Sequence, residues 1–166
     1  MEPYQAAILE GKISGVPTVL KRSHVSGVVK DETGEIDMAG YEPSGGLRKI
    51  LRRLLAGDKV RAFGGVRVSE GGRLTFNLER LDLLDLVREV KGNPLCPKCH
   101  KSMKSEGRGK GYQCSRCGRR VRNSVVRRLE RWLELGTYLP PPRAMRHLTK
   151  PFIRIGQEKI SWDGQI

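Results

Sequence analysis

Four cysteines constrain this chain more than any other feature: they fall as Cys96-Pro97-Lys98-Cys99 and Cys114-Ser115-Arg116-Cys117, with fourteen residues between the pairs. Each Cys-x-x-Cys pair can curl so that two thiolates face one ion, and Gly107, Gly109 and Gly111 in the intervening loop allow the second pair to return and close a tetrahedron of sulfur. The chain has no other cysteine. Four sulfurs fill the shell of one zinc ion and leave no position for water, so Cys96, Cys99, Cys114 and Cys117 read as ligands of a single structural zinc that performs no chemistry. Other uses of such pairs fit less well. Cys96 to His100 spells the Cys-x-x-Cys-His of c-type haem attachment, but a second matched pair would then be idle. A redox pair of the thioredoxin type would need one pair beside a β-α-β pattern. Disulfides would need an oxidising compartment, yet no apolar leader follows Met1 and no run of about eighteen apolar residues occurs, so the expected setting is the cytoplasm, with no membrane partner.

Charge gives the next constraint. Among 166 residues, 32 Lys and Arg against 18 Asp and Glu leave a formal +14. Residues 1–95 hold 15 basic and 13 acidic side chains, whereas residues 96–166 hold 17 and 5, so the excess begins at the first cysteine. Such asymmetry points to a polyanionic partner, nucleic acid above all.

Upstream of the cysteines, strand-like runs alternate with turn signals. An opening strand from Gln5 to Ser14 precedes Val25 to Lys30 and Ile36 to Tyr41, the last two joined by Asp31-Glu32-Thr33-Gly34 as a hairpin turn with Gly34 at positive φ. Leu47, Ile50, Leu51, Leu54 and Leu55 recur at helical spacing before Gly57, with Arg48, Lys49, Arg52 and Arg53 on the other face. Val60 to Val68 and Leu74 to Leu83 complete the set. Three strands, a helix and two strands is the order of a five-stranded OB barrel, whose loops and second and third strands take single-stranded nucleic acid. The candidate contacts there are Lys21, Arg22 and His24 near the first loop, Arg67 and Arg73 around the last hairpin, and Tyr41 as a base-stacking ring. Phe63 and Phe76 read as barrel core.

Lys91-Gly92-Asn93-Pro94 marks a boundary. The expected organisation is a barrel over residues 1–91, a zinc ribbon over 94–122 with Tyr112 and Gln113 as a short strand, and a helix with a basic, proline-containing tail over 123–166. Asn123 or Ser124 would cap the helix, Val125, Val126, Leu129, Trp132 and Leu133 would form its docking face, Arg127, Arg128 and Arg131 its basic face, and Gly136 its end. Fold class is therefore mainly β, an OB-fold barrel followed by a four-cysteine ribbon, a short helix and an extended tail. Within the ribbon, Arg116, Arg119, Arg120 and Arg122 are the candidate phosphate contacts, because the knuckle fixes their backbone and guanidinium engages phosphate through two donors. His100 reads as a surface residue, and Trp162 as a packing residue.

Pro140-Pro141-Pro142 makes a stiff arm, and the following run, Arg143-Ala144-Met145-Arg146-His147-Leu148-Thr149-Lys150-Pro151, resembles the C-terminal signature of the archaeal tRNA-Ile agmatinylcytidine synthetases (TiaS). Gly34-Glu35-Ile36-Asp37, Tyr41-Glu42-Pro43 and Pro94-Leu95-Cys96-Pro97-Lys98-Cys99 are similar to that family's OB and ribbon segments in the same order. The resemblance implies an enzyme that uses ATP to join agmatine to the wobble cytidine of an isoleucine tRNA, with Arg143, Arg146, His147 and Lys150 added to the RNA-contacting set. In that family, ATP and agmatine are handled by domains preceding the OB fold. Here the chain opens at Met1-Glu2-Pro3-Tyr4, almost on the first strand, with no Gly-x-x-x-x-Gly-Lys-Ser/Thr loop. No catalytic residue is expected, and the chain reads as the tRNA-gripping part of such an enzyme, working with a kinase-like half in cis or in trans. Two other classes stay open at this stage: a freestanding single-stranded-DNA-binding protein, and a zinc-ribbon protein-docking module.

Overall fold

The structure is a computed structural model that describes residues 2–20, 24–69, 71–146, 149 and 151–155. It divides into two compact units, one of residues 1–86 with 133–166 and the other of residues 87–132.

The first unit is the barrel. Its elements are β1 (Ala6–Val19), β2 (Val25–Lys30), β3 (Glu35–Gly40), α1 (Gly46–Leu51), β4 (Lys59–Val68) and β5 (Leu74–Asp85). Antiparallel pairing joins β1 to β2, β2 to β3, β1 to β4 and β4 to β5, and the parallel pairing of β3 with β5 closes the cylinder, giving a closed five-stranded barrel. Two-residue alternation aims Val25, Val29, Val60, Ala62, Val66, Phe76 and Leu78 inward. Leu47 and Leu51, four apart on α1, are buried in the same cluster, so this short helix is held by its packing and not by its length. The expected turn is present: Asp31 Oδ1 accepts hydrogen bonds from the N–H groups of Thr33 and Gly34, and Asp31 N–H bonds Gly34 O at 3.0 Å. Where β4 and β5 shift register, Gly64 is required by space. A Cβ there would clash with the carbonyl of Asn77 and lie 2.9 Å from Phe76 Cε1.

A sixth strand joins this sheet from the far end of the chain. β5 is long enough to serve two neighbours on one edge, pairing with β3 over Thr75–Asn77 and with a returning segment over Leu81–Leu83. That segment, Gly136–Tyr138, pairs antiparallel to β5, and Leu133 just before it is buried in the barrel core. Among the described residues after Pro141, Pro142–Ala144 and Phe152–Arg154 form single 3-10 turns within the barrel unit.

The second unit is a zinc ribbon. It contains β6 (Glu89–Gly92), β7 (Lys104–Ser105), β8 (Tyr112–Gln113), β9 (Arg120–Val121) and β10 (Val125–Arg128), which makes Gly136–Tyr138 β11. A three-stranded sheet β7-β8-β9 carries the cysteine knuckles, and β6 pairs with β10. The helix expected over 123–136 is absent. Its first four apolar-and-basic positions are strand β10, because β-branched Val125 and Val126 lose side-chain freedom in a helix and a ready edge stands opposite in β6. The expected docking face is dispersed as a result: Trp132 is 87% exposed, Val125 and Val126 are exposed, and Leu133 belongs to the barrel instead. Of the expected basic face, Arg127 Nη2 donates to Asn93 O at 3.0 Å and Arg131 Nη1 to Val87 O at 2.9 Å. No helix among the described residues is long and apolar enough to cross a membrane.

Candidate metal centre and nucleic-acid interface

The two knuckles repeat one backbone design. Cys96 N–H bonds Lys101 O and His100 N–H bonds Cys96 O, both at 2.8 Å; Cys114 N–H bonds Arg119 O at 2.8 Å and Gly118 N–H bonds Cys114 O at 2.9 Å. Each loop thus turns both of its sulfurs toward the same point. The four Sγ atoms all lie within 4.8 Å of one another, and Cys96 Sγ is 3.5 Å from Cys117 Sγ. Tetrahedral bonds of about 2.3 Å to one ion would hold sulfurs a little under 4 Å apart, so the donor set fits zinc. Met103 is buried beside Cys96 and Cys114, and Tyr112 and Val121 pack on this cluster, excluding water from its inner side.

Electrostatics favour a cation here. Backbone N–H groups of Cys117 and Arg116 point at Cys114 and, with the neighbouring thiols, pull its pKa down to about 6. Cys99 is pushed up to about 11 by its hydrogen bond with Cys117, by burial and by the nearby sulfurs. Four sulfurs this close cannot all carry charge without a counter-ion, and a divalent ion of soft preference removes the conflict. Bound there, it would supply cross-linking of the two knuckles and no reactive position.

The expected nucleic-acid contacts divide between the units. In the ribbon, Arg116, Arg119, Arg120 and Arg122 are all exposed. Arg120 and Arg122 flank the inward-packed Val121 and so share the outward face of the strand end, with Arg120 Nε 3.3 Å from Glu106 Oε2. In the barrel, Arg67 sits 5.6 Å from the ring centre of Tyr4, and Arg73 lies across the β4–β5 turn in a shallow depression with Val28, Asp37 and Leu74. Phe76 is fully buried, as expected, whereas Phe63 is half-buried under the Arg80 guanidinium, 4.2 Å from its ring centre. Arg80 in turn makes a two-point ion pair with the buried Asp82 at 2.9 and 2.8 Å.

The structure brings four of the expected contact residues to one place. His24 and Tyr41 meet edge-to-face with ring centres 4.9 Å apart, and Tyr41, Arg143 and Arg146 line one cavity of about 210 Å3. His24 Nδ1 is buried and has no hydrogen-bond partner among the described residues. Asn77 and Glu79, which alternate with the core residues Phe76 and Leu78 on β5, line the same cavity and were not anticipated. Their outward positions were readable from the strand's alternation, but nothing in the sequence placed the returning tail over them. Lys21, Arg22, His147, Lys150 and Trp162 lie outside the described residues.

The described residues place the chain in a structural class, a closed five-stranded OB-fold barrel followed in sequence by a four-cysteine zinc ribbon. A family described as "TiaS C-terminal zinc ribbon domain" matches residues 93–133. The chain is 40% identical over 153 residues to the isoleucine-tRNA 2-agmatinylcytidine synthetase TiaS of Methanosarcina acetivorans, covering 91% of this chain and 35% of that protein. It is 42% identical to the corresponding synthetase of Staphylothermus marinus, covering 93% of this chain and 34% of that one. A crystal structure of TiaS in complex with its isoleucine tRNA and ATP superposes over 100% of this chain and 37% of its own with a TM-score of 0.70 at 30% identity, and that of apo TiaS over 93% and 36% with a TM-score of 0.64 at 34% identity. The chain belongs to the TiaS family as its C-terminal OB-fold and zinc-ribbon part, and it spans about a third of the length of the curated relatives it matches.

Proposed function

We propose that this chain grips and positions an isoleucine tRNA for an agmatinylcytidine synthetase, while ATP and agmatine are handled by a catalytic portion supplied in cis or in trans. The observation that carries the reading is the 40% identity to a TiaS synthetase across barrel and ribbon together, in the same order. The net +12 of residues 96–166 supports it, because a ribbon that presents exposed arginines on a rigid knuckle engages phosphates without any reactive group of its own. Zinc, one ion per chain, holds that surface in shape, and reduced thiolates suit a cytoplasmic setting.

Binding of the whole chain to isoleucine tRNA, single-stranded DNA and duplex DNA, compared at two stated salt concentrations, tests the reading. The expected result is tightest binding to tRNA and no agmatine transfer by the chain alone, with tRNA use by a catalytic portion improved when the chain is added. Preference for single-stranded DNA would make it a DNA-binding protein. Weak, unselective binding to all three would make the ribbon a protein-docking module.

A further inference from the structure

The cavity roofed by the returning tail is built like a socket for one base. Its wall on one side is the turn Tyr41-Glu42-Pro43-Ser44, in which Ser44 N–H bonds Tyr41 O at 2.8 Å and the Ser44 hydroxyl donates to the same oxygen. Glu42 is ion-paired to Arg48 of α1, so the turn is tied to the helix as well as to β3. His24 packs against the Tyr41 ring and fixes its plane, yet Tyr41 keeps 39% of its surface exposed. The floor is β5, where Asn77 is held in register opposite Ala39 of β3. The opposite wall is the 3-10 turn Pro142–Ala144 with Met145 and Arg146. Thr149 clasps that wall: its Oγ1 accepts from Arg146 N–H at 2.6 Å and donates to Arg146 O at 2.8 Å, and Thr149 itself is buried. Every wall is thus fixed by backbone hydrogen bonds before any ligand arrives, which lowers the ordering cost of binding.

Size and chemistry narrow the occupant. About 210 Å3 is less than the roughly 300–1,000 Å3 of pockets for drug-sized ligands, so a whole mononucleotide or coenzyme is too large and a single planar ring system is not. Tyr41 offers an aromatic surface on which any base can stack. Asn77 carries both a donor pair and an acceptor, suited to the edge of a base. Arg143 and Arg146 are exposed at the same cavity, where a strand's phosphates would pass if its base were turned inward. Single-stranded RNA is recognised by this combination of a splayed-out base, an aromatic platform and cations on the backbone. We infer that the Tyr41–Asn77–Arg143 cavity takes one unpaired base of a bound RNA strand, stacked on Tyr41, with the adjoining phosphates on Arg143 and Arg146. This rests on the reading of the chain as an RNA-gripping protein.

Three RNA probes test it with the full chain at one fixed salt concentration: a blunt duplex, the same duplex with a four-nucleotide single-stranded overhang, and that overhang built from abasic riboses. The abasic overhang keeps every phosphate and removes only the bases. The intact overhang is expected to bind about tenfold tighter than the abasic one, the low end of what base–aromatic stacking supplies. Tyr41→Ala should abolish that tenfold increment while leaving affinity for the abasic overhang and the blunt duplex within about twofold, and Tyr41→Phe should retain it. Ala144→Trp, which fills the cavity from the opposite wall, should abolish it too, so the result does not depend on one variant folding. Arg143→Gln should weaken the intact and abasic overhangs alike. Equal losses from Tyr41→Ala on intact and abasic overhangs, or no base-dependent increment in the parent chain, overturn the socket while leaving RNA gripping intact. Failure of the parent chain to bind any of the three overturns both.

Discussion

His100 and Gly118 hold the same place in the two zinc knuckles. Each follows the second cysteine of its pair, each lies at positive φ, 53° and 71°, and each sends its N–H back to the carbonyl of the first cysteine. The histidine that makes the first pair spell a haem-attachment motif is therefore the residue occupying a left-handed turn position that the second knuckle fills with glycine. It is not among the grouped metal-binding side chains.

A non-glycine residue pays roughly 1 kcal/mol for that conformation, and a β-branched residue more. His100→Gly should raise the stability of the ribbon by up to about 1 kcal/mol, and Gly118→Val should lower it by more than about 1 kcal/mol. Zinc release under a chelator series reads both changes, with the glycine variant holding metal to higher chelator concentration. Equal metal retention by the parent and both variants would show that the turn positions carry no strain.

Replacing Cys99 or Cys114 with Ser should release the metal and unfold residues 87–132, since binding free energy at such a site is folding free energy, on the order of 10 kcal/mol. The barrel, with its own core from Ile13 to Leu86 and Leu133, should keep its structure. Metal analysis should find one zinc per parent chain, and amide exchange should show protection lost only in the ribbon. Iron, or well under one zinc per folded chain, would contradict the assignment.

The barrel was legible because its signals are local: alternation places Val25, Val29 and Phe76, the Asp31–Gly34 turn sets a register, and Leu47 with Leu51 marks one helical face. The knuckles were legible for the same reason, as spacing within four residues decides where two sulfurs point. What the sequence hid was pairing at long range. Val125, Val126, Leu129 and Trp132 keep a helical period, and that local signal was overridden by pairing with β6, more than thirty residues upstream, which takes Val125–Arg128 as a strand. Leu133 and Tyr138 likewise pack on a barrel whose nearest strand ends at Asp85, and only that return creates the cavity over Asn77.

Gly64→Ala should destabilise the barrel by about 1–3 kcal/mol, because the added methyl would meet the Asn77 backbone and the Phe76 ring, neither of which can move without breaking the β4–β5 pairing. Gly65→Ala, whose Cβ would find its nearest neighbour at 3.9 Å, is the control and should fall within about 1 kcal/mol of the parent. Urea denaturation of the two variants side by side measures the difference.

Glu10 on β1 bonds Lys59 at 2.7 Å and Arg61 at 2.8 Å, and those hydrogen bonds hold its carboxyl below the ordinary carboxylate pKa. A group lowered in the folded state stabilises above its unfolded pKa and loses that contribution as pH falls through its folded pKa. Glu10→Gln should therefore be less stable than the parent at neutral pH, with the gap closing on acidification and shrinking in high salt because the pair is exposed. Denaturant midpoints across the acid range check the sign: a gap that widens toward acid would contradict it.

Neutralising Arg119, Arg120 and Arg122 to Gln together should weaken tRNA binding broadly and flatten its salt dependence. All three are exposed, and each phosphate left without its arginine takes roughly 0.7 to 0.9 from the log–log slope, so the slope should fall by about 2. Arg120 should contribute despite its pairing with Glu106, because an ion pair in which the arginine stays 71% exposed gives little stability of its own and exchanges readily for phosphate. Neutralising Lys21 and Arg22 should cost less, since residues 1–95 carry 15 basic against 13 acidic groups. Exchanging Arg143 and Arg146 for Gln should also reduce affinity, most visibly on probes with unpaired nucleotides beside the cavity they line. Filter-binding titrations at three salt concentrations separate these cases. An unchanged slope for the ribbon triple variant, together with a large loss for the Lys21 and Arg22 pair, would move the main RNA-gripping surface from the ribbon to the barrel and leave the ribbon as a docking module.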